Sequence, residues 1–254
     1  MPPVIAAIVM GGLGLIFGSF IAAVSVRLPR DEDIVMARSR CRGCDRPLRP
    51  WELVPLFSWL ALRGRCARCA TPISRRYPLI ELAAGAIGVW AALWASGEGA
   101  SAFTMAATAV LGWQLLLIAI VDGENFWLPD ILTLPLIATG LVASMVAGWD
   151  IALSRLIGAA AGFGGLWLVG WLYQAVRKRQ GLGGGDPFLF AGAGAWVGWV
   201  GLPSVLLWAC AAGFSLVFAM LVVRRSVRAT DKLPFGVFLA VGLWLTWLYG
   251  PLGL

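Results

Sequence analysis

The chain's 254 residues include thirteen carboxylates and no histidine, and that imbalance limits the chemistry open to it. Without histidine there is no Ser–His or Cys–His nucleophile, no HExxH metalloprotease and no imidazole base. The two lysines, Lys178 and Lys232, lie in basic loops, which leaves proton transfer to carboxylates. Asp31, Glu32, Asp33, Asp45 and Glu52 lie among arginines that can solvate or pair with them. Glu98, Asp150 and Asp231 fall in loops, and Glu81 opens an apolar run with Arg75 or Arg76 as a candidate partner. That leaves Asp122, Glu124 and Asp130 in "VDGENFWLPDILTLP" (121–135), and Asp186 in "GLGGGDPF" (181–188). Asp122 closes one apolar run and Asp186 opens another, at the same membrane edge; ionisable groups at that depth mark sites or pathways. Held close together, two aspartates cannot both ionise and would share one proton. One could then activate water while the other donates to a carbonyl oxygen or a leaving amine, which is peptide hydrolysis without histidine, serine or metal. A second reading stays open. Asp186 before Pro187, and Asp130 before "ILTLP", also have the form of helix N-caps in a transporter or scaffold.

A second constellation is "CRGC" (Cys41, Cys44) and "CARC" (Cys66, Cys69), with twenty-one residues between the pairs. This spacing fits a closed four-thiolate zinc site. Arginines 40, 42, 65 and 68 flank it and would offset its negative charge. Disulfides do not suit a reducing compartment, and no βαβ pattern supports a redox CxxC. The predicted zinc is structural, a staple for an island of about 50 residues too small to build its own core. Cys210, alone in an apolar run, reads as packing.

The elements that must position these residues are membrane helices. The sequence is 60% hydrophobic and 13% charged, with mean hydropathy +0.84, which places it among polytopic membrane proteins. Eight apolar runs can cross roughly 30 Å of hydrocarbon: 4–26, 79–96, 101–121, 129–148, 153–175, 187–201, 203–223 and 235–252. Only Gly201–Leu202 separates the sixth from the seventh, which predicts either a tight hairpin or one broken segment. The first run lacks a basic flank and is too long for a signal peptide, so a retained helix is expected. Nineteen of the twenty Lys and Arg residues fall in 27–78, 176–186 and 224–234; only Arg155 does not. The positive-inside rule then puts 27–78 in the cytoplasm and both termini outside. The +7 net charge reads as this topology signal and as contact with anionic lipid, not as nucleic-acid binding. The expected fold is an all-α polytopic membrane protein of about eight transmembrane helices. It divides into a first helix (1–26), a cytoplasmic four-cysteine zinc-binding domain (27–78) and a seven-helix membrane body (79–254).

These pieces resemble the type IV prepilin leader peptidases, the GxGD-type aspartic proteases of bacterial pilus and type II secretion systems. "GSF" (18–20) with "RLP" (27–29), the four cysteines, "SWLALRGRCARC" (58–69) and "ISRRYPLIEL" (73–82) resemble that family's amino-terminal part. "VDGENFWLPDILTLP" and "GLGGGD" followed by "GAWVG" (194–198) resemble its two aspartate motifs. The resemblance implies a catalytic pair of Asp122 and Asp186, with Asp130 in the accompanying LPD element. It also implies that Gly183, Gly184 and Gly185 let Asp186 swing toward Asp122 around substrate. The implied activity is cleavage of the basic leader of prepilins or pseudopilins at the cytoplasmic face of the bacterial inner membrane, with N-methylation of the new terminus from S-adenosylmethionine. Phe188, Ala22 and "WELVP" (51–55) depart from the family pattern. From other classes, a non-catalytic pilus or secretion assembly factor and a proton-coupled small-solute transporter remain as rivals. A transporter often shows repeated halves, and the cysteine island has no counterpart in the second half.

Overall fold

The computed structural model describes residues 2–34, 36, 38–179, 181–224 and 233–253. Helices dominate, and the only extended pairings among the described residues are two isolated bridges. In order they are α1 (Pro3–Arg27), α2 (Phe57–Ala61), α3 (Arg76–Gly97), α4 (Ala102–Asn125), α5 (Asp130–Ala147), α6 (Trp149–Arg177), α7 (Asp186–Arg224) and α8 (Phe235–Tyr249). Six of these (α1 and α3 to α7) are long and apolar enough to cross a membrane; α8 is apolar but shorter. The chain is therefore an all-helical, multi-pass membrane protein, as its composition requires. Much of the 224–234 basic loop lies outside the described residues.

The chain folds as two compact units, Met1–Trp113 and Gln114–Leu254, with α4 running from one into the other. In the first, α1 lies along α3 through small residues. A side chain on Gly14 would strike the backbone of Ala84, and one on Gly88 the carbonyl of Met10. Lipid offers no hydrophobic drive between helices, so such close backbone approach is what binds them. Trp113 of α4 joins this pair, donating its indole N–H to the Ala84 carbonyl at 2.9 Å and stacking on Phe17. Glu81 is buried in α3, and its Oε2 accepts the Leu56 N–H at 2.8 Å. Arg76 turns instead to the Ser25 hydroxyl and the Ala22 carbonyl. The carboxylate thus serves a backbone amide of the polar segment, in place of the arginine pairing expected from sequence.

In the second unit, α6 and α7 approach closely where Gly158 meets Gly194. A straight α7 of 39 residues would span about 58 Å at 1.5 Å per residue, nearly twice the hydrocarbon thickness. It is not straight, because Gly198 has φ 74° and ψ 175°, outside the helical region. Along α8 the reversal can be followed. Asp186 shares a cleft with Phe235 at the start of α8, and Trp196 meets Trp247 near its end with ring centroids 5.2 Å apart. Beyond the break, Gly201 lies beside Thr246, Val205 and Ala209 beside Gly242, and Gly213 beside Phe238. The first arm runs with α8 and the second runs back along it. Of the two alternatives, the hairpin holds, but its bend lies at Gly198 and not at Gly201–Leu202. A positive φ is open to glycine at little steric cost.

Candidate functional site

Asp122 lies in the last turn of α4. That helix ends where the Phe126 N–H bonds the Asp122 carbonyl at 2.8 Å and Phe126 takes a left-handed φ of 52°. A carboxylate in a last turn faces the carbonyl end of its own helix, an unfavourable place for an anion. The start of α8 compensates: the Val237 N–H reaches Asp122 Oδ2 at 3.1 Å. The first N–H groups of a helix have no partner within it, so α8 can offer this one to a side chain from another element.

Asp186 is the first residue of α7. Its N–H bonds the Gly183 carbonyl at 3.2 Å, and its Oδ2 accepts the Gly183 N–H at 2.9 Å, closing a reciprocal turn. The carboxylate points back into the glycine loop instead of capping forward, so the N-cap expectation fails here. It also fails at Asp130, which is the first residue of α5 behind Pro129, with no side-chain capping bond. An acidic residue in a first turn still complements the helix dipole.

Asp122 and Asp186 are each 5% exposed, and they line one cleft of about 770 Å³. Asp130 and Gly183, Gly184 and Gly185 line the same cleft. Space, not backbone sign, explains two of these glycines, since none has a positive φ. A side chain on Gly185 would strike the carbonyl of Leu128, and one on Gly183 would crowd the Asp186 carboxylate, whereas Gly184 faces open space. Upstream, Gly181 packs against the Tyr173 ring at the end of α6. Phe188, one of the departures from the pattern it resembles, packs edge-on to Phe163 of α6 with ring centroids 4.9 Å apart.

Leu128 and the start of α8 were missed in the sequence. Leu128 is buried and wedged between Gly185 and Gly236. One signal was available: "LPFG" (233–236) puts glycine in the first turn of an otherwise bulky apolar helix, where glycine disfavours helix formation.

The first unit holds the cysteines. The sulfurs of Cys41, Cys44, Cys66 and Cys69 all lie within 4.8 Å of one another, and Cys41 and Cys69 are 3.6 Å apart. Tetrahedral zinc with 2.3 Å bonds needs sulfur separations of about 3.8 Å, so the four could hold a metal ion. The two knuckles repeat one pattern, "RCRGCDRP" (40–47) and "RCARCATP" (65–72). In each, the first cysteine's N–H bonds a carbonyl five residues on, and a bridge joins the flanking Arg and Pro: Cys41 to Arg46, Cys66 to Thr71. Backbone N–H groups of Cys69 and Arg68 hold the Cys66 thiol down to about 6. The Thr71 hydroxyl and N–H lower that of Cys69. Both favour thiolate, the form that binds metal. Arg46, whose carbonyl accepts the Cys41 N–H, links this cluster to Glu52 by pairing with the carboxylate at 2.6 Å. That pair holds the Glu52 carboxyl below its ordinary range. Other acids of the island pair as expected, Asp45 with Arg40 and Glu32 with Arg42 and Arg30.

Residues 13–95 match the bacterial peptidase A24 N-terminal domain, and 109–219 match the type IV leader peptidase family. A prepilin leader peptidase/N-methyltransferase of Burkholderia pseudomallei (strain K96243) is 39% identical over 265 residues, covering 94% of this chain and 84% of that protein. A protein of the same name from Stutzerimonas stutzeri is 37% identical over 261 residues, covering 94% and 89%. One from Pseudomonas aeruginosa is 36% identical over 263 residues, covering 94% and 88%. No solved structure gives a significant match.

Proposed function

The chain belongs to the type IV leader peptidase family, and on that premise we propose that it cleaves the leader from type IV prepilins or type II secretion pseudopilins, with Asp122 and Asp186 as the acid–base pair. The observation that carries this reading is the pair itself. Two buried aspartates, sixty-four positions apart in a chain without histidine, line one cleft.

With one proton between them, the ionised aspartate takes a proton from water as its oxygen attacks the scissile carbonyl carbon. The protonated partner donates to the carbonyl oxygen. The resulting diol collapses as a proton passes to the amide nitrogen, the C–N bond breaks, and a carboxyl and an amine leave. Glycines 183 to 185 form the loop from which Asp186 adjusts to the bound peptide, and Asp130 stands on the cleft rim. Neither the assembly-factor nor the transporter reading finds support among the relatives.

Zinc is the metal proposed for Cys41, Cys44, Cys66 and Cys69. Four thiolates fill its shell and leave no position for substrate, so its role is to fasten the two knuckles. S-adenosylmethionine would supply the methyl group for N-methylation of the new terminus. No cradle among the described side chains identifies its seat, so the methyl transfer is assigned to no residue. The excess of Lys and Arg on one set of loops supports an inner-membrane orientation with 27–78 and the cleft toward the cytoplasm and both termini outside. The first helix (1–26), the cysteine island (27–78) and the membrane body (79–254) are the functional divisions of this proposal.

The test is incubation of the purified full-length protein with a synthetic prepilin, followed by mass measurement of the products. Two fragments meeting at the leader boundary are expected, and an added methyl mass on the new terminus would reveal the second activity. Binding of the prepilin without cleavage would favour an assembly factor and refute the peptidase.

A further inference from the structure

We propose that Gly236 is a positioning residue for the reaction: by lacking a side chain, it lets the Asp122 carboxylate seat on the amino terminus of α8. This inference rests on the reading of Asp122 and Asp186 as the reacting pair. Pro234 precedes α8, and Gly236 is its second residue. A Cβ there would lie 2.8 Å from Asp122 Oδ2 and would collide with Leu128 Cδ1. Such separations are essentially never found for real side chains, so the carboxylate and the Leu128 side chain would have to shift from these positions. That seat is built from a backbone donor, the Val237 N–H, which reaches Asp122 Oδ2 at 3.1 Å. The other ionisable groups lining the cleft, Asp130 and Asp186, are acids, and no cationic side chain is among the described residues that line it. The Val237 amide of α8 is thus the donor that fixes which way Asp122 faces. Gly213 of α7 is a looser contact with the same helix: a Cβ there would meet Phe238 of α8 at an ordinary 3.6 Å.

An anchored carboxylate presents its free lone pairs to water and to Asp186 in one orientation, whereas a displaced one must find that orientation at each turnover. Misplacement of this kind slows the chemical step more than it weakens peptide binding. In the full-length protein, Gly236→Ala should lower kcat on a synthetic prepilin at least about tenfold while KM stays within about twofold. Gly213→Ala should keep the wild-type rate. Gly236→Ala added to Leu128→Ala, where the clash with leucine is relieved, should fall by a similar factor relative to Leu128→Ala alone. This paired comparison decides the matter if the single variant fails to accumulate in membranes. An unchanged kcat in the single variant or in the pair, or a raised KM at unchanged kcat, would overturn the positioning role. Failure of the wild-type protein to cleave, or full cleavage by Asp122→Asn, would instead strike the peptidase reading itself.

Discussion

The two buried aspartates reach their cleft with different supports. Asp122 is anchored across the fold, on the Val237 amide of α8, and Asp186 is anchored locally, on the Gly183 amide three residues back. A local anchor in a glycine loop can move with that loop; an anchor on a second helix cannot. On the proposed mechanism, this difference would make Asp186 the member of the pair that adjusts to substrate. The glycines carry unequal demands, which gives a residue-scale prediction. Gly185→Ala drives a methyl group into the Leu128 carbonyl, while a methyl on Gly184 meets nothing within 4 Å. Steady-state cleavage assays should show a loss at least about tenfold greater for Gly185→Ala than for Gly184→Ala, the effect of roughly 1.4 kcal/mol. Equal losses would mean that the loop acts through flexibility alone.

The elements show what sequence could and could not reveal. Apolar runs in the sequence correspond to described helices because span length and hydropathy are local properties. The cysteine knuckles were legible for the same reason, since CxxC fixes how two sulfurs converge. The α7 bend was displaced by three residues because the sequence marks several candidates, Gly198, Gly201 and Pro203, and only tertiary packing selects among them. The seat of Asp122 on α8 joins residues 115 positions apart, and no periodicity carries such a pairing. At this scale the Arg46–Glu52 pair makes a pH prediction. Its folded-state carboxyl is depressed, so its stabilisation is complete above the ordinary carboxyl value of about 4.3 and is lost as pH falls through the depressed value. Glu52→Gln should therefore remove part of the acid lability of the cysteine island, measured as zinc release against pH. Superimposable release curves for the two proteins would contradict the pair's contribution.

One compact unit carries the four cysteines and the other carries the acid cleft, so the proposed function assigns fastening to the first and chemistry to the second. Cys41→Ser should reduce bound zinc, read by elemental analysis, and reduce the yield of folded protein; unchanged metal content would remove Cys41 from the ligand set. On protein already folded, a chelator should leave the rate of leader cleavage unaltered, and a prompt loss that zinc restores would give the metal a part in the reaction.

The most direct measurement compares prepilin cleavage by Asp122→Asn, Asp186→Asn and the double variant, each checked for membrane insertion. Residues that trade one proton act as a unit, so each single change should lower turnover by roughly 10²–10⁴-fold or more, and the double variant should be no worse than the singles. Wild-type turnover by either single variant would contradict the account.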